Sequence, residues 1–87
     1  MDNIQKIQKL REAKGITDVA FIISSDWKNV YFGAVPYLQA MRYLINKQST
    51  YGSDSASSIV NYFLSNASGY RGEVAKEAKL ALKRLIK

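Results

Sequence analysis

The sequence predicts an all-α fold: one small domain, residues 1–87, built as a bundle of four or five helices. Three observations carry that reading. Apolar residues recur at three- and four-residue spacing through most of the chain, the period of one helix face. Helix-boundary residues (Asp2, Gly15, Pro36, Ser53, Gly72) fall between those stretches. The one short β-branched run, Val19-Ala20-Phe21-Ile22-Ile23, has no evident strand partner, and an isolated strand pair is marginal in water. With 47% hydrophobic residues and a single proline, the composition is that of a folded domain. A chain of this length buries only about 60% of its unfolded surface, and typical per-residue values give a stability of roughly 4 to 13 kcal/mol.

Taken in order, Asp2 to Lys14 predicts a first helix with Ile4, Ile7 and Leu10 as a narrow apolar stripe. Asp2 near its start and Arg11 and Lys14 near its end suit the helix dipole, and Gly15 reads as its stop. So narrow a stripe suggests an element at the edge of the fold. Thr17 to Ser25 reads as a short buried helix, since Thr17 and Asp18 supply a cap and first turn. Ser25 caps one further turn in which Trp27, Val30 and Tyr31 share a face, either as a plug for the end of the bundle or as an aromatic platform.

The segment Pro36 to Lys47 is the expected centre of the fold. Pro36 fits a first helical turn, where its missing N–H costs nothing. Tyr37, Leu38, Ala40, Met41, Leu44 and Ile45 fall on one broad face. Gln48 to Gly52 forms a polar loop, and Ser53 caps a fourth helix from Asp54 to about Asn66, with Ala56, Ile59, Val60, Phe63 and Leu64 inward. From Glu73 a last helix presents Val74, Ala78, Ala81, Leu82 and Leu85. A start at Ser68 would add Tyr70 to that face, with Gly72 costing about 1 kcal/mol inside the helix. Helices four and five should then close over the Pro36 segment.

Several functions are excluded by what is missing. The chain has no cysteine and no histidine, so disulfide scaffolds, thiolate metal sites, Cys and His nucleophiles and the usual near-neutral proton carrier are all unavailable. No carboxylate pair, phosphate loop or metal-ligand cluster stands out. The expectation is a protein without catalytic residues, metal, cofactor or small-molecule substrate. Val19 to Ile23 is too short to span a bilayer, and Asp2 to Lys14 is unlike a secretory leader, so a cytoplasmic protein without membrane contact is expected.

Thirteen Lys and Arg against seven Asp and Glu give a formal charge of +6, which suits nucleic acid, an anionic membrane surface or an acidic protein as partner, and equally suits solubility. Lys76, Lys79, Lys83, Arg84 and Lys87 lie opposite the apolar stripe of the last helix and form the candidate nucleic-acid surface. A lysine-rich outer face is also what a solvated amphipathic helix shows. Leu80 falls among these lysines with no core to join, so it could seat a protein partner or a second copy of the chain. Tyr70 and Arg71, between glycines and beside a helix start, form a candidate partner-binding hook. Arg71 could instead pair with Glu73 or a helix-end carbonyl. A helix-turn-helix reading through Tyr51-Gly52-Ser53 is the weaker alternative, because the connection is a residue or more too long and the would-be recognition helix offers Asp54, Ser55, Ser57, Ser58 and Asn61 but no Arg or Lys.

The runs Tyr31-Phe32-Gly33-Ala34-Val35-Pro36-Tyr37-Leu38-Gln39-Ala40-Met41, Tyr51-Gly52-Ser53-Asp54-Ser55, Ile59 to Ala67 and Tyr70-Arg71-Gly72-Glu73-Val74-Ala75-Lys76 resemble a group of short phage and prophage proteins. The resemblance implies a viral or mobile-element origin, in which small basic helical proteins bind and block host machinery or handle nucleic acid. It brings no activity and no site residues. The functional expectation is a non-enzymatic protein that contacts a bacterial host protein or itself, with sequence-tolerant nucleic-acid binding as the alternative.

Overall fold

In the computed structural model, which describes all 87 residues, five helices and one minimal hairpin follow one another as α1 (Asn3–Glu12), α2 (Ile16–Asp26), α3 (Val35–Met41), β1 (Thr50–Tyr51), β2 (Asp54–Ser55), α4 (Ala56–Ser65) and α5 (Glu73–Leu85). The all-α expectation holds, apart from the two-residue strands. The molecule is a slab of 35 × 27 × 17 Å. Its buried side chains form one cluster without a charged residue, and no buried side-chain polar atom lacks a hydrogen-bond partner. No helix is long and apolar enough to cross a membrane.

The start of α1 is fixed by a reciprocal cap. Asp2 Oδ1 accepts from the Gln5 amide at 2.8 Å, and Gln5 Oε1 accepts from the Asp2 amide at 3.2 Å. The helix stops at Glu12, short of Lys14. Gly15 is not its stop but the N-cap of α2, with extended backbone (φ −131°). Only a residue without Cβ fits there, since an added carbon would stand 2.8 Å from the Ile45 carbonyl oxygen.

That close approach explains why α3 is shorter than the expected Pro36–Lys47 helix. Ile16 N–H donates to the Ile45 carbonyl at 3.2 Å and Thr17 N–H to the Leu44 carbonyl at 3.0 Å, with the Thr17 hydroxyl adding a bond to Leu44 at 3.0 Å. The first amides of a helix lack internal partners, and here the chain after α3 turns its carbonyls to them. From Arg42 to Leu44 the backbone tightens into i→i+3 bonds and the helix ends. Leu44 stays buried, as expected, whereas Ile45 is 70% exposed.

The centre of the fold is α2 and not the Pro36 segment. Ile16, Val19, Ala20, Ile22 and Ile23 are buried, and α2 packs against α1, α3 and α5. Helix α4 packs on α3, as expected, but α5 packs on α1 and α2 instead. The physical reason is breadth: α2 is apolar on several sides and can serve three neighbours, while α3 has only two turns to offer. Nor is α1 merely peripheral, because Leu10 is completely buried, although Ile4 points to solvent.

The expected helical turn after Ser25 does not form, and of its three residues only Trp27 joins the core, with Val30 partly buried and Tyr31 exposed. Trp27 caps α2, stacks on Tyr70 (centroids 4.9 Å, 15°) and meets Phe63 edge-on (6.1 Å, 79°). The polar loop before α4 is a hairpin in which Thr50 pairs with Ser55 and Tyr51 with Asp54, turning through Gly52 at φ +64°. Helix α4 accordingly begins at Ala56, capped by Ser55, whose Oγ accepts from the Ser58 amide at 3.1 Å, and not by Ser53. Its buried stripe of Ala56, Ile59, Val60 and Phe63 is as expected.

Candidate functional site

The turn before α5 positions most of the residues singled out from the sequence. Ala67 is buried and its carbonyl accepts from the Tyr70 amide at 3.0 Å. Gly72 then adopts φ +110°, open to glycine and disfavoured for residues with a Cβ, and starts α5. This geometry sends the Tyr70 ring inward.

Tyr70 is therefore not an exposed hook. It is 2% exposed, stacked on Trp27, and its hydroxyl donates to Asp26 Oδ2 at 2.9 Å. Lys6 Nζ pairs with the other Asp26 oxygen at 3.0 Å, so α1, α2 and this turn meet on one carboxylate. Burial, and after it the bond to Asp26, pushes the Tyr70 phenol well above its ordinary range. Arg71 does point outward; its Nε donates to the Ser68 carbonyl at 3.3 Å, and it forms no ion pair with Glu73.

Beside Tyr70 lies a shallow depression of about 370 Å³, walled by Arg71, Lys76, Lys79, Leu80 and Lys83 and floored by Gly72 and Ala75. Six of the eight sequence-derived site residues thus meet in one place. Leu80 is 50% exposed and stands among the cations. No carboxylate lines the depression. Glu77 is turned to α1, where it receives two bonds from Arg11 at 3.1 Å each. Lys79 is half-buried and donates to the Tyr70 carbonyl at 2.7 Å. Burial, then the charges of Arg71 and Lys83, hold its ammonium pKa below the usual value.

The expected run of five cations is broken at its C-terminal end. Arg84 Nη2 donates to the Leu10 carbonyl at 3.2 Å and to the Ala13 carbonyl at 2.7 Å, closing the C-terminus of α1. It is a structural cap. Lys87 lies past the end of α5, and its carbonyl accepts from Lys47 Nζ at 2.8 Å. Neither lines the depression.

A second surface was not singled out from the sequence. Six of the ten aromatic side chains are exposed: Phe21, Tyr31, Phe32, Tyr43, Tyr51 and Tyr62. They associate at the surface, Tyr31 with Phe32 at 4.8 Å, Tyr43 with Tyr51 at 5.9 Å, Tyr62 with the half-buried Tyr37 at 5.4 Å, and Phe21 under the Arg42 guanidinium at 5.0 Å. All but Phe21 belong to the connection after α2, to α3 and its following turn, to the hairpin, or to α4. Residues 29–70 carry only three charged side chains, Arg42, Lys47 and Asp54, and are rich in Ser, Asn and Tyr. That scarcity of charge, together with aromatics lying off the buried stripes, is the signal that could have revealed this surface. A larger hollow of about 480 Å³ between the end of α1 and α2 is lined by both signs of charge, Lys9 and Lys14 with Glu12 and Asp18, and presents no preferred ligand.

No family model, characterised protein or solved structure matches this chain.

Proposed function

We propose that the protein is a non-enzymatic binding protein that engages another protein through the aromatic, nearly uncharged surface formed by the connection after α2, α3 and its following turn, the hairpin and α4. The observation that carries this reading is the pairing of exposed rings on the part of the chain poorest in charge. Aromatic residues are enriched, and Lys and Glu depleted, where proteins meet. Tyr with Ser and Asn is also the composition of binding loops that combine rigid contact area with adaptable hydrogen bonding. Every exposed ring of this surface, from Tyr31 to Tyr62, lies against a neighbouring ring, so less side-chain freedom remains to be lost on binding.

Nucleic-acid binding through bases needs aromatic platforms inside a cationic groove. Here all the exposed rings but Phe21 lie within residues 29–70, whereas eleven of the thirteen Lys and Arg lie outside that stretch. The protein reading is favoured for that reason. Given the phage resemblance, the partner would be a cytoplasmic protein of a bacterial host.

The test is capture from nuclease-treated bacterial lysate by the wild-type chain and by a Phe32→Ser/Tyr43→Ser variant. Both side chains are more than 70% exposed, so the variant should keep its helical circular dichroism. A protein retained by the wild type after nuclease and lost from the variant supports the reading. Capture abolished by nuclease, or unchanged in the variant, overturns it.

A further inference from the structure

We propose that the depression around Leu80 is a docking groove for an acidic amphipathic helix of a partner protein. In this arrangement Leu80 meets an apolar residue of that helix, and Arg71, Lys76 and Lys83 meet its carboxylates. The contact is separate from the aromatic surface and stands or falls independently of it.

Charge complementarity identifies the occupant. The groove is walled by four cations and lined by no acid; of the two carboxylates of α5, Glu77 is drawn off by Arg11 and Glu73 lies outside the groove lining. Arg71 and Lys83 oppose the charge on Lys79, and no acid within the groove offsets the three of them. Lys76 and Lys83 have no side-chain hydrogen bond to give up. A second copy of this chain is a poor occupant, because it would bring a further +6 to the same place.

The apolar centre and the geometry narrow the choice further. Lys76, Leu80 and Lys83 stand at i, i+4 and i+7, a straight ridge about 10 Å long at helical rise, which matches about two turns of a partner helix. Gly72 and Ala75 give a floor low enough for close approach. A nucleic acid would find phosphate contacts but no ring on which to stack a base, since Tyr70 is buried. It would leave Leu80 without a partner.

The experiment measures fluorescence anisotropy of a labelled helical peptide of about 15 residues, long enough to be partly helical alone. The peptide carries Glu on both sides of a Leu seam. A second peptide has Ser in place of those Leu, and a single-stranded oligonucleotide has matching charge. The Leu peptide should bind the full chain, and binding should weaken as salt rises from roughly 50 to 200 mM. Either the Ser peptide or the Leu80→Ser protein should bind about tenfold less well, as expected for one half-exposed Leu losing its cover. The Lys76→Gln/Lys83→Gln variant, which alters only exposed side chains, should lose most of the affinity while keeping its helical circular dichroism. Absence of binding, equal binding of the two peptides, or tighter binding of the oligonucleotide overturns the proposal.

Discussion

Two regions of this small molecule are held together differently. Helices α1, α2 and α5 are tied by charged side chains that reach across the sequence: Lys6 to Asp26, Arg11 to Glu77, and Arg84 to the carbonyls of Leu10 and Ala13. The region from residue 29 through α4 holds itself by backbone bonds, small caps and stacked rings, with almost no charge. Directional bonds to charged groups fix which ends meet, whereas ring contacts leave aromatic area at the surface. The difference teaches that the first region spends its polar residues on assembly and the second leaves its aromatic ones available for contact. In the groove around Leu80, Lys76 and Lys83 make no such bond and stay available for contact.

The two regions meet at an aromatic seam. Phe63 of α4 packs edge-on against Trp27 at the end of α2 and is completely buried. Phe63→Ala should cost about 3 to 5 kcal/mol, a large part of the stability expected at this length. If the regions form one cooperative unit, urea unfolding followed by helical circular dichroism and by Trp27 fluorescence should shift together. Separate transitions would mean that α3, the hairpin and α4 open by themselves. Leu44→Ala, where the chain supplies carbonyls to α2, should cost about 2 to 5 kcal/mol. Phe32→Ser, at an exposed ring of the same region, should stay within about 0.5 kcal/mol.

How far the sequence disclosed this division depends on the residue type. The stripes of α4 and α5 were legible because apolar residues at helical spacing have one reading when polar residues separate them, as Ile59, Val60 and Phe63 show. The primacy of α2 was not, because a helix that is apolar on several sides loses the periodicity that would reveal it. The end of α3 depended on a tertiary fact, the demand of the Ile16 and Thr17 amides for carbonyls, which no local pattern around Met41 contains. The same holds for the site. Lys76, Lys79, Leu80 and Lys83 could be grouped by helical spacing, but Arg84 was bound to be misread, since its acceptors lie more than 70 residues away. Tyr70 turned inward through Gly72, and a glycine by itself does not say which way the next turn faces.

The Arg84 cap has a smaller effect. Arg84→Met keeps most of the aliphatic stem and removes the bonds to Leu10 and Ala13. The loss should be about 1 kcal/mol, the usual net worth of such bonds where solvent competes. Amide exchange should quicken at the C-terminus of α1 and stay unchanged in α4. Equal acceleration in both regions would show that the cap supports the whole fold and not the three-helix unit alone.

The smallest expected effect is that of Arg11 and Glu77, and pH reveals it best. The bonds from Arg11, helped by the nearby Lys76, hold the Glu77 carboxyl below its ordinary 4.5. A carboxylate with a depressed folded-state pKa stabilises the fold above its unfolded value, and that contribution fades as pH falls from about 4.5 through the folded value. The pair is open to solvent, so the change should be slight and should shrink further in salt. Glu77→Gln should flatten the acid limb of the thermal midpoint against pH without altering the plateau above pH 6 by more than a degree or so. Tyr70 supplies the opposite limb. Its phenol titrates above 10 in the folded chain, so its contribution is complete below pH 10 and declines as pH rises beyond it, and Tyr70→Phe should remove that decline. Because Asp26 joins Tyr70 to Lys6 while Glu77 joins α5 to α1, an acid limb sensitive to Glu77 and an alkaline limb sensitive to Tyr70 would both report on the three-helix region.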